Sequence, residues 1–422
     1  MNAFRSTATA ILASPLVRGL MAFGSAEAAT RVVRLGALLI VARKVTPEIF
    51  GTAALALSLF ELVRVLANAG IGQRLIIASD EELPALCNTA YRLFWAVCAG
   101  VAVIQLAVAA AVYLVFGLGE AAALLAVLSL VFFAMPPGLV QIFLTMRDNR
   151  MAATARIAAT QNMADSLLTV ALVVIWPSAW ALVLPKLLAA PIWTILARKS
   201  SAWSYNAALG KAPVRKFATF GPSILATEVL SAARLHADKL VVGALLGTEA
   251  LGIYYFAFNA GLGITQSFVA ACNLVAFPHL AKAHPDDTLT EYRRTFAAGL
   301  AMLAPVVIAQ ALLAPIYVPI VFGETWISAT PYVVLLSLAA LPLYAGSLVG
   351  AGYRVAGRPQ DEAFLTAIAT ITALAGLNFG ATVSLHFACL GYVAGLATVL
   401  VPAALASLAC RFTNPVLKPE GK

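Results

Sequence analysis

The chain has 422 residues, of which 62% are hydrophobic and only 11% charged, with a formal net charge of +9 and a mean hydropathy of +0.91. A water-soluble globular domain does not carry so much apolar sequence with so few charges, and no folded basic motif accompanies the charge, so nucleic-acid binding is excluded as its cause. Long apolar runs of about twenty residues match the ~30 Å hydrocarbon core of a bilayer, and they are too long and continuous for barrel strands.

The spans are placed in chain order at 20–42, 51–69, 92–116, 121–144, 156–175, 179–197, 218–246, 250–277, 295–321, 329–352, 362–383 and 387–410. The fold class expected is therefore an all-α polytopic membrane protein with about 12 transmembrane helices. Residues 1–30 are expected to be a short cytoplasmic segment leading into the first span and not a secretory leader, because Pro15 interrupts the short stretch from Arg5 to Arg18 and the apolar run continues past Arg31. An even count places both termini on one side. That side carries twenty Lys and Arg residues against two, Arg43 and Lys44, on the other, so both termini are expected in the cytoplasm. The polar segment Arg198–Lys216 divides the chain into an N-terminal lobe (1–197), a cytoplasmic linker (198–216) and a C-terminal lobe (217–422).

An internal repeat runs across that division. Residues 39–51 align without gaps on residues 240–252, with Leu39/Leu240, Val41/Val242, Glu48/Glu249 and Gly51/Gly252 identical. The same offset superposes Glu27 on Glu228. With six spans per copy, both copies enter the membrane in the same sense, so the two six-helix lobes should be related by a pseudo-twofold along the membrane normal.

The charges inside the spans are the candidate functional residues, since each is costly at bilayer depth. Glu27, Arg31 and Arg34 share one face of the first span, and Glu61, Arg64 and Asn68 one face of the second. Arg34 lies about 15 Å from the Arg43–Lys44 hairpin, close to mid-membrane. Asp165 and Lys186 are the candidates for completing a network with them. The arginines Arg31, Arg34 and Arg64, with Lys186, would hold an anion, because the planar guanidinium grips phosphate oxygens in pairs. The competing reading is a structural ion-pair network. In the seventh span Arg234 and Asp238 are spaced to pair, and Asp238 and Lys239 are near enough to the outer end to snorkel. Glu228 or Asp238 would be the carboxylate that couples transport to a proton or sodium ion. Gln105, Gln141 and Gln310 are expected to bridge helices, and Trp326 to sit at an interface. The five cysteines and the His279/His284 pair have no disulfide or metal spacing. No metal and no other cofactor is implied.

The string from Ala42 to Gly51, followed by Ala69-Gly70-Ile71-Gly72-Gln73, resembles the first hairpin of bacterial polysaccharide flippases. These belong to the multidrug/oligosaccharidyl-lipid/polysaccharide exporter superfamily. Ala237 to Gly243, Gly252 to Tyr255, Phe277-Pro278, Phe322 to Trp326 and Gly357-Arg358-Pro359 resemble later parts of the same family, in the same order. Many members have fourteen spans, so features of a terminal pair are not implied here. The resemblance implies MATE-like alternating access and a lipid-linked oligosaccharide, typically on undecaprenyl pyrophosphate, moved across the bacterial inner membrane for a surface polysaccharide such as lipopolysaccharide or exopolysaccharide. It also implies membrane lipid and polysaccharide polymerase machinery as neighbours. A cation-coupled multidrug antiporter of the same superfamily is the alternative. A membrane glycan polymerase or ligase is the remaining one, disfavoured by external connections of a few residues, so no enzyme activity and no catalytic residue is expected.

Overall fold

The computed structural model describes residues 33–67, 70–218, 221–263, 265–266, 268–269, 276, 280 and 288–409. Among these, every regular element is helical. The helices are α1 Val33–Ala42, α2 Pro47–Arg64, α3 Ile71–Ile76, α4 Leu83–Phe116, α5 Gly119–Leu128, α6 Val131–Ala134, α7 Pro136–Arg147, α8 Met151–Ile175 and α9 Ala179–Ser200. They continue as α10 Arg215–Ala218, α11 Gly221–Ala257, α12 Thr288–Tyr317, α13 Thr330–Leu338, α14 Ala340–Val355, α15 Pro359–Ala381 and α16 Leu385–Ala409.

Among the described residues, nine helical stretches are long and apolar enough to cross a membrane, or ten if one bent pair counts as a single span. That is fewer than the twelve expected from hydropathy, and the causes are local. Most of the first span, 20–42, and part of the eighth lie outside the described residues. The seventh and eighth run together through α11, broken only at Gly247, whose φ of 85° is a backbone conformation that glycine adopts without penalty. The fourth is bent by 56° between Ala134 and Pro136. There Pro136 and Pro137 lack the N–H groups that would continue the ladder.

Helix starts and stops follow from nearby residues. Thr46 Oγ1 accepts from Ile49 N–H at 3.4 Å ahead of Pro47, and Ser178 Oγ accepts from Ala181 N–H at 3.3 Å ahead of α9. Gly117, with φ 67°, ends α4. The glutamines do bridge elements: Gln105 donates to Leu125 O at 3.2 Å and Gln141 to Trp203 O at 3.2 Å. Gln310 donates to Ala260 O at 2.8 Å and Gly261 O at 3.0 Å, and these carbonyls belong to a π-helical turn, Phe258–Leu262. Trp326 is no interfacial anchor. It is fully buried, stacked 4.1 Å from the Phe256 ring and edge-on to Phe50 at 5.6 Å, because Gly323 (φ 104°) turns the chain inward just ahead of it.

Two compact units are present. The first comprises Met1–Val45 and Leu55–His236, the second Thr46–Ala54 and Ala237–Lys422. Helix α2 thus contributes its first turns to the second unit and its remainder to the first. Within the second unit, the chain around Gly51 crosses the chain around Gly252 with backbone touching backbone. A Cβ on Gly51 would lie 1.7 Å from Thr248 O, and one on Gly252 would lie 1.8 Å from Pro47 O. Residues 47 and 51 stand at the same offset from 248 and 252 as in the sequence repeat. Each segment meets the other through equivalent atoms, as a local twofold requires.

In the first unit, residues 201–214 are strapped to the start of α4. Asn88 Nδ2 donates to Asn206 O at 2.7 Å and Gly210 O at 2.9 Å, and Thr89 Oγ1 donates to Ala212 O at 2.9 Å. Tyr91 packs on Trp203 and Tyr205. Glu82 closes the strap, bonding Lys216 Nζ at 2.7 Å and Arg74 Nη2 at 3.0 Å. The hydrogen bond from Lys216, reinforced by its charge and that of Arg74, holds the Glu82 carboxyl below its ordinary 4.5. A depressed carboxyl favours the folded state above its ordinary value, and the contribution is lost as pH falls through the lower folded value. Glu82→Gln is therefore expected to speed trypsin cleavage after Lys211 and Arg215 at neutral pH, and Asn88→Ala to speed it more, since Asn88 is buried. In the unaltered protein, amide protection of the same segment, taken relative to the intrinsic exchange rate at each pH, should fall only below the ordinary carboxyl value of 4.5. Exchange that is already fast at pH 7 would contradict a docked linker.

Candidate functional site

Among the described residues, five intramembrane charges of the first unit gather from four helices: Arg34 on α1, Glu61 and Arg64 on α2, Asp165 on α8 and Lys186 on α9. Counting 1.5 Å per residue from the hairpins at 43–46 and 176–178, all five lie roughly 10–26 Å from the nearer hairpin end, inside the hydrocarbon thickness. Helices α8 and α9 form an antiparallel hairpin capped by Ser178, which sets Asp165 and Lys186 at comparable depth. Pro185 interrupts the backbone ladder of α9 just before Lys186.

Their side chains form one alternating series. Arg64 places Nε and Nη2 each 2.7 Å from Glu61 Oε2. The other Glu61 oxygen, Oε1, is 3.2 Å from Lys186 Nζ, and Lys186 Nζ is 4.0 Å from Asp165 Oδ2. Arg34 on α1 stands near Asp165 without forming an ion pair with it. Read across the helices, the contacts run cation, anion, cation, anion from Arg64 to Asp165, with Arg34 near the Asp165 end but not in contact. Three positive charges face two negative ones, so the series keeps a positive surplus.

The series is open. The side chains of Arg64, Lys186, Asp165 and Glu61 are 43%, 29%, 28% and 20% exposed, and Arg34 is exposed. In a dry interior, charges of this number would need complete pairing. Here Arg64 spends two donors of its fork on one oxygen and keeps the others accessible to a second anion. The arrangement suits a phosphate or other multi-oxygen anion, which would meet donors already held in position.

The second unit holds a different network. Lys239 Nζ is 3.0 Å from both Oδ1 and Oδ2 of Asp238, and Tyr254 donates its hydroxyl to Oδ2 at 2.8 Å. The Asp238 and Lys239 side chains are only 2% and 5% exposed. The expected pairing of Asp238 with Arg234 is not formed. Arg234 is exposed one turn away, while the carboxylate is taken up by Lys239 and Tyr254. Nor does Lys239 snorkel, since its ammonium lies 4.0 Å over the Phe258 ring. Tyr254 and Phe258 had no place among the sequence candidates. A tyrosine and a phenylalanine sixteen and more residues away give no local signal of their role. Glu228 is half-buried on α11. Glu27 and Arg31 lie outside the described residues.

The family described as polysaccharide biosynthesis protein matches residues 40–331. Over 341 residues the chain is 25% identical to the lipopolysaccharide biosynthesis protein WzxC of Escherichia coli (strain K12), covering 77% of this chain and 67% of that one. Over 309 residues it is 24% identical to the succinoglycan biosynthesis transport protein ExoT of Rhizobium meliloti (strain 1021), covering 71% and 61%. The chain thus matches about two thirds of the length of either relative. Among solved structures it is similar to the lipid II flippase MurJ in an inward closed conformation, with a TM-score of 0.75 at 13% identity, covering 92% of this chain and 87% of that one. It is also similar to an inward-facing multidrug resistance MATE family transporter of the MOP superfamily, with a TM-score of 0.69 at 15% identity, covering 89% and 93%. At such identities the structural likeness establishes the fold, a multi-pass MATE-type helical bundle.

Proposed function

The chain belongs to the polysaccharide biosynthesis protein family, and from that premise we propose that it is a flippase for a lipid-linked oligosaccharide in the bacterial inner membrane. The observation that carries this reading is the open alternating series of Arg64, Glu61, Lys186, Asp165 and Arg34. Its positive surplus, the donors that Arg64 does not spend on Glu61 and the exposed Arg34 nearby favour an anionic head group, such as the pyrophosphate of an undecaprenyl carrier. A cation-coupled drug exporter would be served poorly by the same surplus. Arg34, Arg64 and Lys186 are assigned the substrate's charge, and Arg31, outside the described residues, is assigned the same role from sequence alone. Glu61 and Asp165 are positioning residues, which keep the cations apart and oriented until the anion arrives. The protein performs no bond-making step in this scheme. It is a transporter, with both termini cytoplasmic by the distribution of lysine and arginine, acting beside polysaccharide polymerase machinery. Coupling to a proton or sodium gradient is assigned to Glu228, the half-buried carboxylate of α11.

The test is reconstitution of the full chain into vesicles loaded on one leaflet with a lipid-linked oligosaccharide, with translocation read by accessibility of the sugar to an added enzyme. Translocation above protein-free vesicles is expected, faster under an imposed proton or sodium gradient, and Glu228→Gln should remove the acceleration alone. Vesicles that leave the glycan lipid in place while expelling a cationic dye would replace this reading with drug export.

A further inference from the structure

The Asp238–Lys239 pair is not a by-product of helical register. Neighbours at i and i+1 point about 100° apart on a helix and do not face one another, so the Lys239 stem folds back to bring its ammonium onto both carboxylate oxygens at 3.0 Å. Three groups hold it there. The carboxylate presents both oxygens, the Tyr254 hydroxyl steadies that carboxylate at 2.8 Å, and the Phe258 ring faces the ammonium at 4.0 Å. Phe258 opens the π-helical turn Phe258–Leu262, a local widening of the helix of the kind that re-aims side chains. All these groups are buried or half-buried.

A two-oxygen carboxylate fixed by a phenol and backed by an aromatic face is a donor set for one compact monovalent cation. Its position is filled by the chain's own ammonium, a compact point charge on a flexible stem. We propose that Lys239 supplies the resident, non-exchangeable cation of a site built by Asp238, Tyr254 and Phe258, and that removing the ammonium opens this site to a free alkali cation such as sodium. Through Tyr254 and Phe258, the pair thereby becomes a permanent tie between the arms of α11 on either side of Gly247. Any exchangeable coupling ion must bind elsewhere. This holds whether or not the flippase reading does, because it is read from stability and not from transport.

The experiment is thermal unfolding of the purified full chain in sodium chloride against N-methylglucamine chloride at equal ionic strength. Any sodium response of the unaltered protein is expected to survive Asp238→Asn unchanged. Lys239→Ala should melt lower in N-methylglucamine and recover by about 5 °C or more in saturating sodium. Asp238→Asn/Lys239→Ala, with neither charge to satisfy, should lose the response that Lys239→Ala gains over the unaltered protein. Lys239→Gln, which keeps most of the stem without its charge, repeats the measurement if the alanine variant does not accumulate. A sodium response in the unaltered protein that Asp238→Asn abolishes would overturn the proposal, as would single Lys239 variants indifferent to sodium.

Discussion

Translocation of the glycan lipid is expected to fall by about 10- to 100-fold when Arg34 is replaced by alanine, with the protein still present in the membrane at its usual level. A hydrogen bond to a charged group contributes about 1.5–3 kcal/mol, and loss of one such contact to a phosphate gives that range. Arg34 stands near the Asp165 end of the charge series without an ion pair to it, so its removal deletes a donor and leaves the Asp165 charge less offset towards the incoming anion. Arg64→Ala should behave alike at the other end, where its guanidinium leaves Glu61 at 2.7 Å. Arginine-to-lysine changes at either position should restore only part of the rate, because a lysine keeps the charge but not the fork. The measurement is vesicle translocation normalised to protein content, together with the melting temperature. If melting temperature and abundance fall in step with translocation, the arginines hold helices together and do not bind substrate.

The second large effect concerns architecture. Gly51→Ala should lower the melting temperature steeply, and Gly51→Val should prevent stable insertion, because the first added carbon lands 1.7 Å from Thr248 O. Overpacking in cores costs about 1–3 kcal/mol when side chains can rearrange. Here the obstacle is backbone in a helical segment, with no rotamer to retreat into, so the cost should exceed that range. Gly36→Ala and Gly100→Ala supply the control, since nothing lies within 4 Å of a carbon added at either. Helix propensity then predicts neutrality or a gain of up to about 1 kcal/mol. Equal melting of Gly51→Ala and Gly100→Ala would show that the crossing is looser than described.

The spans and the first unit's charges were legible in sequence for one reason. Hydrocarbon penalises charge so heavily that a buried arginine stands out against leucine and alanine. Helical spacing then grouped Glu61 with Arg64, and depth nominated Asp165 and Lys186 as their partners. Sequence spacing failed where the partner came from tertiary packing. The i, i+4 rule favoured Arg234 for Asp238, yet Lys239 and Tyr254 have it, because α11 doubles back at Gly247 and brings residue 254 alongside residue 238. Hydropathy likewise averages over breaks, so it could not show the 56° bend at Pro136 or the turn that buries Trp326. The repeat was readable as four identities, but only coordinates reveal that two of the matched glycines meet.

That meeting has a genetic corollary. The atom obstructing each glycine is the main-chain oxygen of the opposing segment, Thr248 for Gly51 and Pro47 for Gly252, and no codon change at either place deletes it. Revertant hunts begun from Gly51→Ala should accordingly return few suppressors besides restoration of glycine itself, and a second lesion at Gly252 should aggravate the first.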